Sequence, residues 1–508
     1  MKRNKNDMMR RFKLTKLTEF VLSSIMDRWI YAIIGGVIFF LFLFVFGGTI
    51  NKAPIIIALA FFLSMIVLIF TGRKLHWDAL ITIVSFGLLF SVITPILDTP
   101  DETAHLARAM YLTEGKVTVS NLDSQLLISE DYDLLHDQQQ KTIIKNDLNI
   151  HDSNVQKVES NGLKATNAYS FISYLPQAVG IGFGRLVDFS VLWSFYLGRM
   201  TNLLIYAVLI SFAIKLTPVF KNYFFVVGTI PMGVYIAASY NQDAFGIGII
   251  FITIAYFLHL LYKDEHTIKI RDVVVYTAMC MLITLSKFPF VLLILLLMFI
   301  PSEKFEKKST HKMIFLAIPI TAIFSLIWMK SYSSIPHPFL PEGVNMKEQI
   351  KFLISTPIEN LQLFVRNLLE GITNYLMLFN FGWLSYSSNG VGFLYLFFLG
   401  SVSIFFPREL LQKLRTRLGS FILILGIYTA IELSMYLTWT PVGSTIINGV
   451  QGRYFIGFLP LIPLALNIGP GFDQLSKSQI KQYYVVTTII PIYFIIVSLA
   501  FTLGQYYS

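Results

Sequence analysis

The sequence predicts an all-α polytopic membrane protein, and three observations carry that prediction. First, 55% of its 508 residues are hydrophobic, 14% are charged and the mean hydropathy is +0.64, whereas soluble domains carry about 25% charge. Second, runs such as "YAIIGGVIFFLFLFVFGG", "IIIALAFFLSMIVLIF" and "YVVTTIIPIYFIIVSLAFTL" are long enough to cross a hydrocarbon core of about 30 Å as helices that satisfy their own backbone hydrogen bonds. Third, the net charge of +10 resides in short basic blocks between apolar runs, a distribution that sets topology and argues against a nucleic-acid partner. The first apolar run is long and lacks a small-residue cleavage site, so no cleaved signal peptide is expected. The single cysteine, Cys280, lies inside an apolar run, which leaves no disulfide or cysteine-ligated zinc to draw.

Threaded in order, residues 1–29 form a basic cytoplasmic N-terminus and 30–97 carry three helices. Residues 98–190 form a large first extracytoplasmic loop with juxtamembrane helices, and its stretch 98–170 is about twice as rich in Asp and Glu as in Lys and Arg. The apolar stretch 170–189 is broken by Pro176, several glycines and Arg185. Treating it as interfacial or re-entrant places the basic loops "KLTPVFKN", "KDEHTIKIR" and "SEKFEKKSTHK" all inside. The transmembrane core follows over 191–330, a second outer loop over 331–390 and the C-terminal helices over 391–508. The second loop carries apolar residues at helical spacing, interrupted at Pro357, and reads as two amphipathic helices on the outer leaflet. The count is about thirteen transmembrane helices. Polar clusters scattered through the chain then face one side: "SYNQD", "SKFP", "TWTPVGSTIINGVQGR" and the acidic stretch "LDTPDETAHLARAM".

That acidic stretch has a structural explanation. Thr99 as N-cap, Pro100 at the first helical position and Glu102 reaching back form a capping box. The explanation leaves out Asp98, His105 and Arg108. Asp101, His105 and Arg108 fall at i, i+4 and i+7 on one helix face, with Asp98 at the membrane mouth. Such a cluster suits deprotonating a hydroxyl or holding a divalent cation.

Elsewhere, Asn241 or Asp243 suits an N-cap, and Lys287 reads as a snorkelling lysine or a point charge for phosphate. Arg453, with Gln451 two residues before it, opens an apolar helix on the outer side, where the positive-inside bias disfavours arginine. A bound anion or an acidic partner accounts for it. Arg199 is similarly placed near a helix end, and Glu432 sits inside an apolar segment, where it needs a partner.

The order of "TPDETAHLARAMYLTEGK", "YSFISYLPQAVGIGFGRL", "YLGRMTNLLIY", "PMGVYIAASYNQDAF", "LSKFPFVLL", "LFNFGWLSY" and "GVQGRYFIGFLPLIPL" resembles the bacterial membrane proteins grouped as domain of unknown function 2142. These look like relatives of the GT-C glycosyltransferases. The chain departs from the family at Phe288-Pro289, where a small residue is common.

The resemblance implies a GT-C-like helical bundle in the bacterial plasma membrane. It also implies a polyprenyl-phosphate-linked sugar donor, an extracytoplasmic cell-surface glycan acceptor, and an acidic pair acting as general base, metal site, or both. Carried over, Asp101 or Glu102 is the catalytic carboxylate, with His105 and Asp98 in support and Arg108, Asp243 and Gln451 nearby. Arg453, Lys287 and Arg199 hold the donor phosphate, and Asp101 with Glu102 is the place for a divalent cation such as Mg or Mn. A flippase of lipid-linked saccharide and a non-catalytic component of a polysaccharide assembly complex are the competing readings.

Overall fold

The computed structural model describes residues 2–48, 53–72, 74–122, 126–147, 150, 157–160, 162–333, 335, 337–371, 377–409 and 413–507. The side chains of residues 2–17, whose basic block sets the expected orientation, lie outside that description, as do residues 151–156 and 372–376 of the two loops.

Among the described residues, seven helices are long and apolar enough to cross a membrane: Val21–Gly47 (part of a helix from Lys2), Leu75–Ile93, Val191–Leu216, Asp243–Tyr262, Lys308–Ser333, Leu414–Thr438 and Lys477–Tyr507. Shorter apolar helices cover Pro54–Phe70, Phe288–Phe299, Asn389–Ile404 and Gly452–Leu466. The protein is therefore a multi-pass membrane protein. Exposed Ile33, Phe44, Phe62, Ile323 and Phe397 on these helices supply the apolar surface that lipid covers.

Within the core expected over 191–330, the chain after Val191–Leu216 forms two short helices, Lys221–Gly228 and Pro231–Ala237. Pro231 cannot donate into a continuing helix, so the chain breaks there. The two runs nearest the polar face take a different form from that expected. Phe288–Phe299 and Gly452–Leu461 are 3₁₀ helices. A 3₁₀ helix rises about 2.0 Å per residue against about 1.5 Å for an α-helix, so a dozen residues reach about 24 Å. Pro289 in the first turn of one and Pro460 inside the other remove backbone donors from the α pattern.

One end of the bundle, the loop face, gathers the ends of distant segments. The Tyr507 hydroxyl donates to the Ile93 carbonyl at 2.9 Å, and Arg199 reaches the carbonyls of Ser91, Thr94 and Pro95. The segment 170–189 forms a 3₁₀ turn, Phe171–Tyr174, and the helix Leu175–Leu186. At 12 residues, or about 18 Å, that helix is too short to cross about 30 Å. It lies beside the first turns of Val191–Leu216, and Gln177 donates to Asn202 at 3.0 Å. Leu106, Met110, Ile181, Leu192 and Phe195 form the small apolar core between them.

The amphipathic loop forms the helices Met346–Ser355 and Pro357–Glu370. Ile350, Ile354, Ile358, Leu361 and Leu369 are exposed, while Leu363 packs on Tyr436. The Tyr428 hydroxyl donates to the Asn367 carbonyl at 3.1 Å. Tyr428 lies ten residues, about 15 Å, before the helix end at Thr438, so the second amphipathic helix dips well below that end. Glu432 lies between them, with Oε2 3.5 Å from the Asn367 amide, which supplies the neighbour its position called for.

Candidate functional site

The site is built on a tight loop between Ile93 and Glu102. Leu97 and Asp101 both adopt left-handed backbone, with φ of 55° and 62°. Such conformations cost non-glycine residues about 1–3 kcal/mol and persist only when their surroundings fix them. Arg199 does the fixing. All five of its N–H groups are used: Nε and Nη2 on the two Glu102 oxygens at 2.8 and 2.7 Å, Nη1 on the Ser91 and Thr94 carbonyls, and Nη2 again on the Pro95 carbonyl. Arg199 and Glu102 are both fully buried, and the Tyr240 N–H adds a further donor to Glu102 at 3.1 Å.

This arrangement corrects two expectations. The helix runs Glu102–Thr113 with Asp101 as N-cap and no side-chain cap bond, so the Thr99 capping box does not form. A cap contributes about 1 kcal/mol, whereas stranding a buried guanidinium costs several, so Glu102 turns to Arg199. Equally, Arg199 and Glu102 saturate each other, and neither is directed at a ligand. The neighbouring Asp101 pairs with a different arginine, Arg453, so the two adjacent carboxylates are engaged separately. Among the described residues no three His, Cys, Asp or Glu side chains converge as metal ligands.

Asp101 opens a second ionic group. Its Oδ2 lies 2.9 Å from Nη2 of Arg453, whose Nε lies 3.5 Å from Asp243 Oδ2, and Asp243 Oδ1 lies 2.6 Å from Nζ of Lys287. Asp243, Arg453 and Lys287 are buried, while the Asp101 side chain is 48% exposed. The chain path explains the convergence. Asn241 Oδ1 accepts the Ala244 N–H at 3.0 Å, so Asn241 takes the capping role and leaves the Asp243 carboxylate free for cations. Lys287 immediately precedes one 3₁₀ helix and Arg453 is the second residue of the other. At Gly246 a Cβ would stand 3.1 Å from Lys287 Cγ, so the lysine packs closely along the Asp243–Tyr262 helix. Lys287 Nζ and Arg453 Cζ also lie over the Tyr454 ring, at 5.4 and 5.5 Å.

The remaining residues divide between this group and other work. His105 Nδ1 is 2.8 Å from the Tyr174 hydroxyl. Burial pushes its pKa down to about 4, opposed by the charges of Asp101, Asp243 and Glu102, so the imidazole is neutral at pH 7. Asp98 accepts the Tyr506 hydroxyl; burial holds its carboxyl above the usual range, against that hydrogen bond. Arg108 turns away from the group, donating to the Val117 carbonyl at 2.8 Å with its guanidinium 5.7 Å from the Tyr111 ring. Gln451 sits at the cap of the Arg453 helix, its backbone carbonyl accepting the Tyr454 N–H at 3.0 Å.

Sequence reading missed Tyr174, Tyr454 and Tyr506. Tyr454 adjoins a flagged arginine and was open to notice. Tyr506 lies 408 residues from Asp98, with no local signal linking them.

A family model described as predicted membrane protein (DUF2142) matches residues 84–464, a stretch that contains every residue of the ionic group. Comparison with curated proteins and with solved structures finds no match.

Proposed function

The chain belongs to that family of predicted membrane proteins, and from this premise we propose a membrane glycosyltransferase. In this reading it moves a sugar from a polyprenyl-phosphate donor to an extracytoplasmic cell-surface glycopolymer in the bacterial plasma membrane. The observation that supports it is the half-exposed Asp101 carboxylate set against the buried cations Arg453 and Lys287 on one face of the bundle. The reading takes the four shorter apolar helices, the helix Ile270–Thr284 and the broken run 221–237 as further crossings, about thirteen in all, and the fold as GT-C-like. It also takes the loop face as extracytoplasmic, because the basic loops 263–271 and 303–312 lie at the other end.

The chemistry needs only these parts. Asp101 accepts the proton of an acceptor hydroxyl as its oxygen bonds to the anomeric carbon. The carbon–oxygen bond to phosphate breaks on the opposite face, and the lipid phosphate leaves with the electron pair, inverting the centre. The leaving group is already a stabilised anion, so cations serve it better than a proton donor. Lys287 and Arg453 are those cations, Asp243 orients them, and neutral His105 packs beside the base.

Transfer of labelled sugar from a polyprenyl-phosphate donor to a wall-polymer acceptor by the purified protein is the test, with Asp101→Asn expected to lose it by at least about a hundredfold. Equal transfer by variant and wild type removes Asp101 from the mechanism. The competing flippase reading draws on Lys287 and Arg453 standing at the heads of two helices that depart from the α pattern, a feature shared with transporters. Movement of lipid-linked sugar between leaflets without transfer would decide for it.

A further inference from the structure

We infer that Asp101 is a removable plug on Arg453: a phosphate oxygen of the donor takes its place on the guanidinium and thereby releases the carboxylate to act as base. The inference rests on the transferase reading and concerns how the same site is switched on.

Arg453 is 4% exposed, with Asp243 on one side and Asp101 on the other. Asp243 is 1% exposed and also holds Lys287 at 2.6 Å. Withdrawing Asp243 would strand two buried cations, and breaking a buried pair is strongly unfavourable. Asp101, at 48% exposed, is the partner on the open side, and a half-exposed ion pair is held weakly. An arriving anion therefore reaches Arg453 by displacing Asp101.

Charge counting gives the same answer. The group holds two acids, Asp101 and Asp243, and two bases, Arg453 and Lys287, for a formal sum of zero. An anion added to the intact group leaves a net negative charge in a largely buried place. With Asp101 turned out to solvent, the remaining Arg453, Lys287 and Asp243 sum to +1 (two bases less one acid), which matches the single charge of a sugar phosphodiester. The inner group thus suits a monophosphate-linked donor better than a diphosphate-linked one.

The backbone permits the exchange. The Asp101 side chain makes no cap bond to its own helix, so rotation about its side-chain torsions breaks the Arg453 pair alone. Its main chain stays in place, because the Asp101 carbonyl accepts the His105 N–H at 3.2 Å and the next residue, Glu102, is clamped by Arg199. The exchange also has a chemical use. While Asp101 Oδ2 is held on Arg453 it is turned toward the guanidinium, and its release frees that oxygen to meet an acceptor hydroxyl.

The test is the affinity of full-length protein in nanodiscs for a fluorescent short-chain polyprenyl methyl phosphodiester, a singly charged analogue with no sugar to transfer, compared between wild type, Asp101→Asn and Asp101→Ser. Removing the competing carboxylate is expected to tighten binding about five- to tenfold in both variants while sugar transfer is lost. Asp101→Ser guards against a local packing defect in one variant. Equal or weaker binding by both variants, with wild type still binding and transferring, overturns the plug and leaves the transferase reading standing. Failure of wild type to bind the phosphodiester overturns both.

Discussion

Arg199 grips Glu102 with Nε and Nη2 on the two carboxylate oxygens at 2.8 and 2.7 Å, joining a membrane-spanning helix to the first turn of the helix that begins the large loop. With three carbonyls between Ser91 and Pro95 also on Arg199, one side chain fixes the whole approach to Asp101.

Glu102→Gln leaves that guanidinium buried and charged without a counter-ion, at an expected cost of about 3–5 kcal/mol. The thermal midpoint of the solubilised protein should fall markedly. The double variant Glu102→Met with Arg199→Met, which removes both charges, should recover part of the loss. A midpoint unmoved by Glu102→Gln would contradict the clamp.

His105 gives the stability a defined pH dependence. Its pKa is about 4 in the fold against an ordinary 6.5. Between those values the unfolded chain binds a proton that the folded chain does not. Stability from this group is therefore complete above pH 6.5 and falls as pH drops toward 4, by up to about 3 kcal/mol. Asp98, with its pKa raised, acts in the opposite sense and loses its contribution as pH rises through its folded value. Subtracting the midpoint profile of His105→Gln from that of wild type isolates the histidine. A flat difference between pH 4 and 7 would exclude the shift.

Orientation is open to direct labelling in a Cys280→Ala background, since Cys280 is buried. Lys145→Cys, exposed in the first loop, should react with an impermeant maleimide on intact cells, whereas His266→Cys, exposed in a basic loop, should react only after lysis. Labelling of both from the same side would overturn the assignment of the loop face.

Much of the site was visible in the chain because charge in an apolar sequence is conspicuous: Asp101, Asp243, Lys287 and Arg453 each stand out against their neighbours. Their partners were not visible. Arg199 and Glu102 are 97 residues apart, and Arg453 and Asp101 are 352 apart. Two flagged cations looked equivalent in sequence, yet Arg199 is saturated and Arg453 is not.

The sequence by itself determined a multi-pass membrane protein, because hydropathy over a run of residues is a local property that the bilayer reads directly. It also determined which residues were too costly to leave unpartnered. Only the tertiary structure decided how the charges paired. It gave Glu102 to Arg199 in place of a helix cap, and turned two apolar runs into 3₁₀ helices whose heads bring Lys287 and Arg453 to Asp243. The physical reason is that a buried charge takes whichever partner the packing brings within reach, and that choice outweighs local preferences of about 1 kcal/mol.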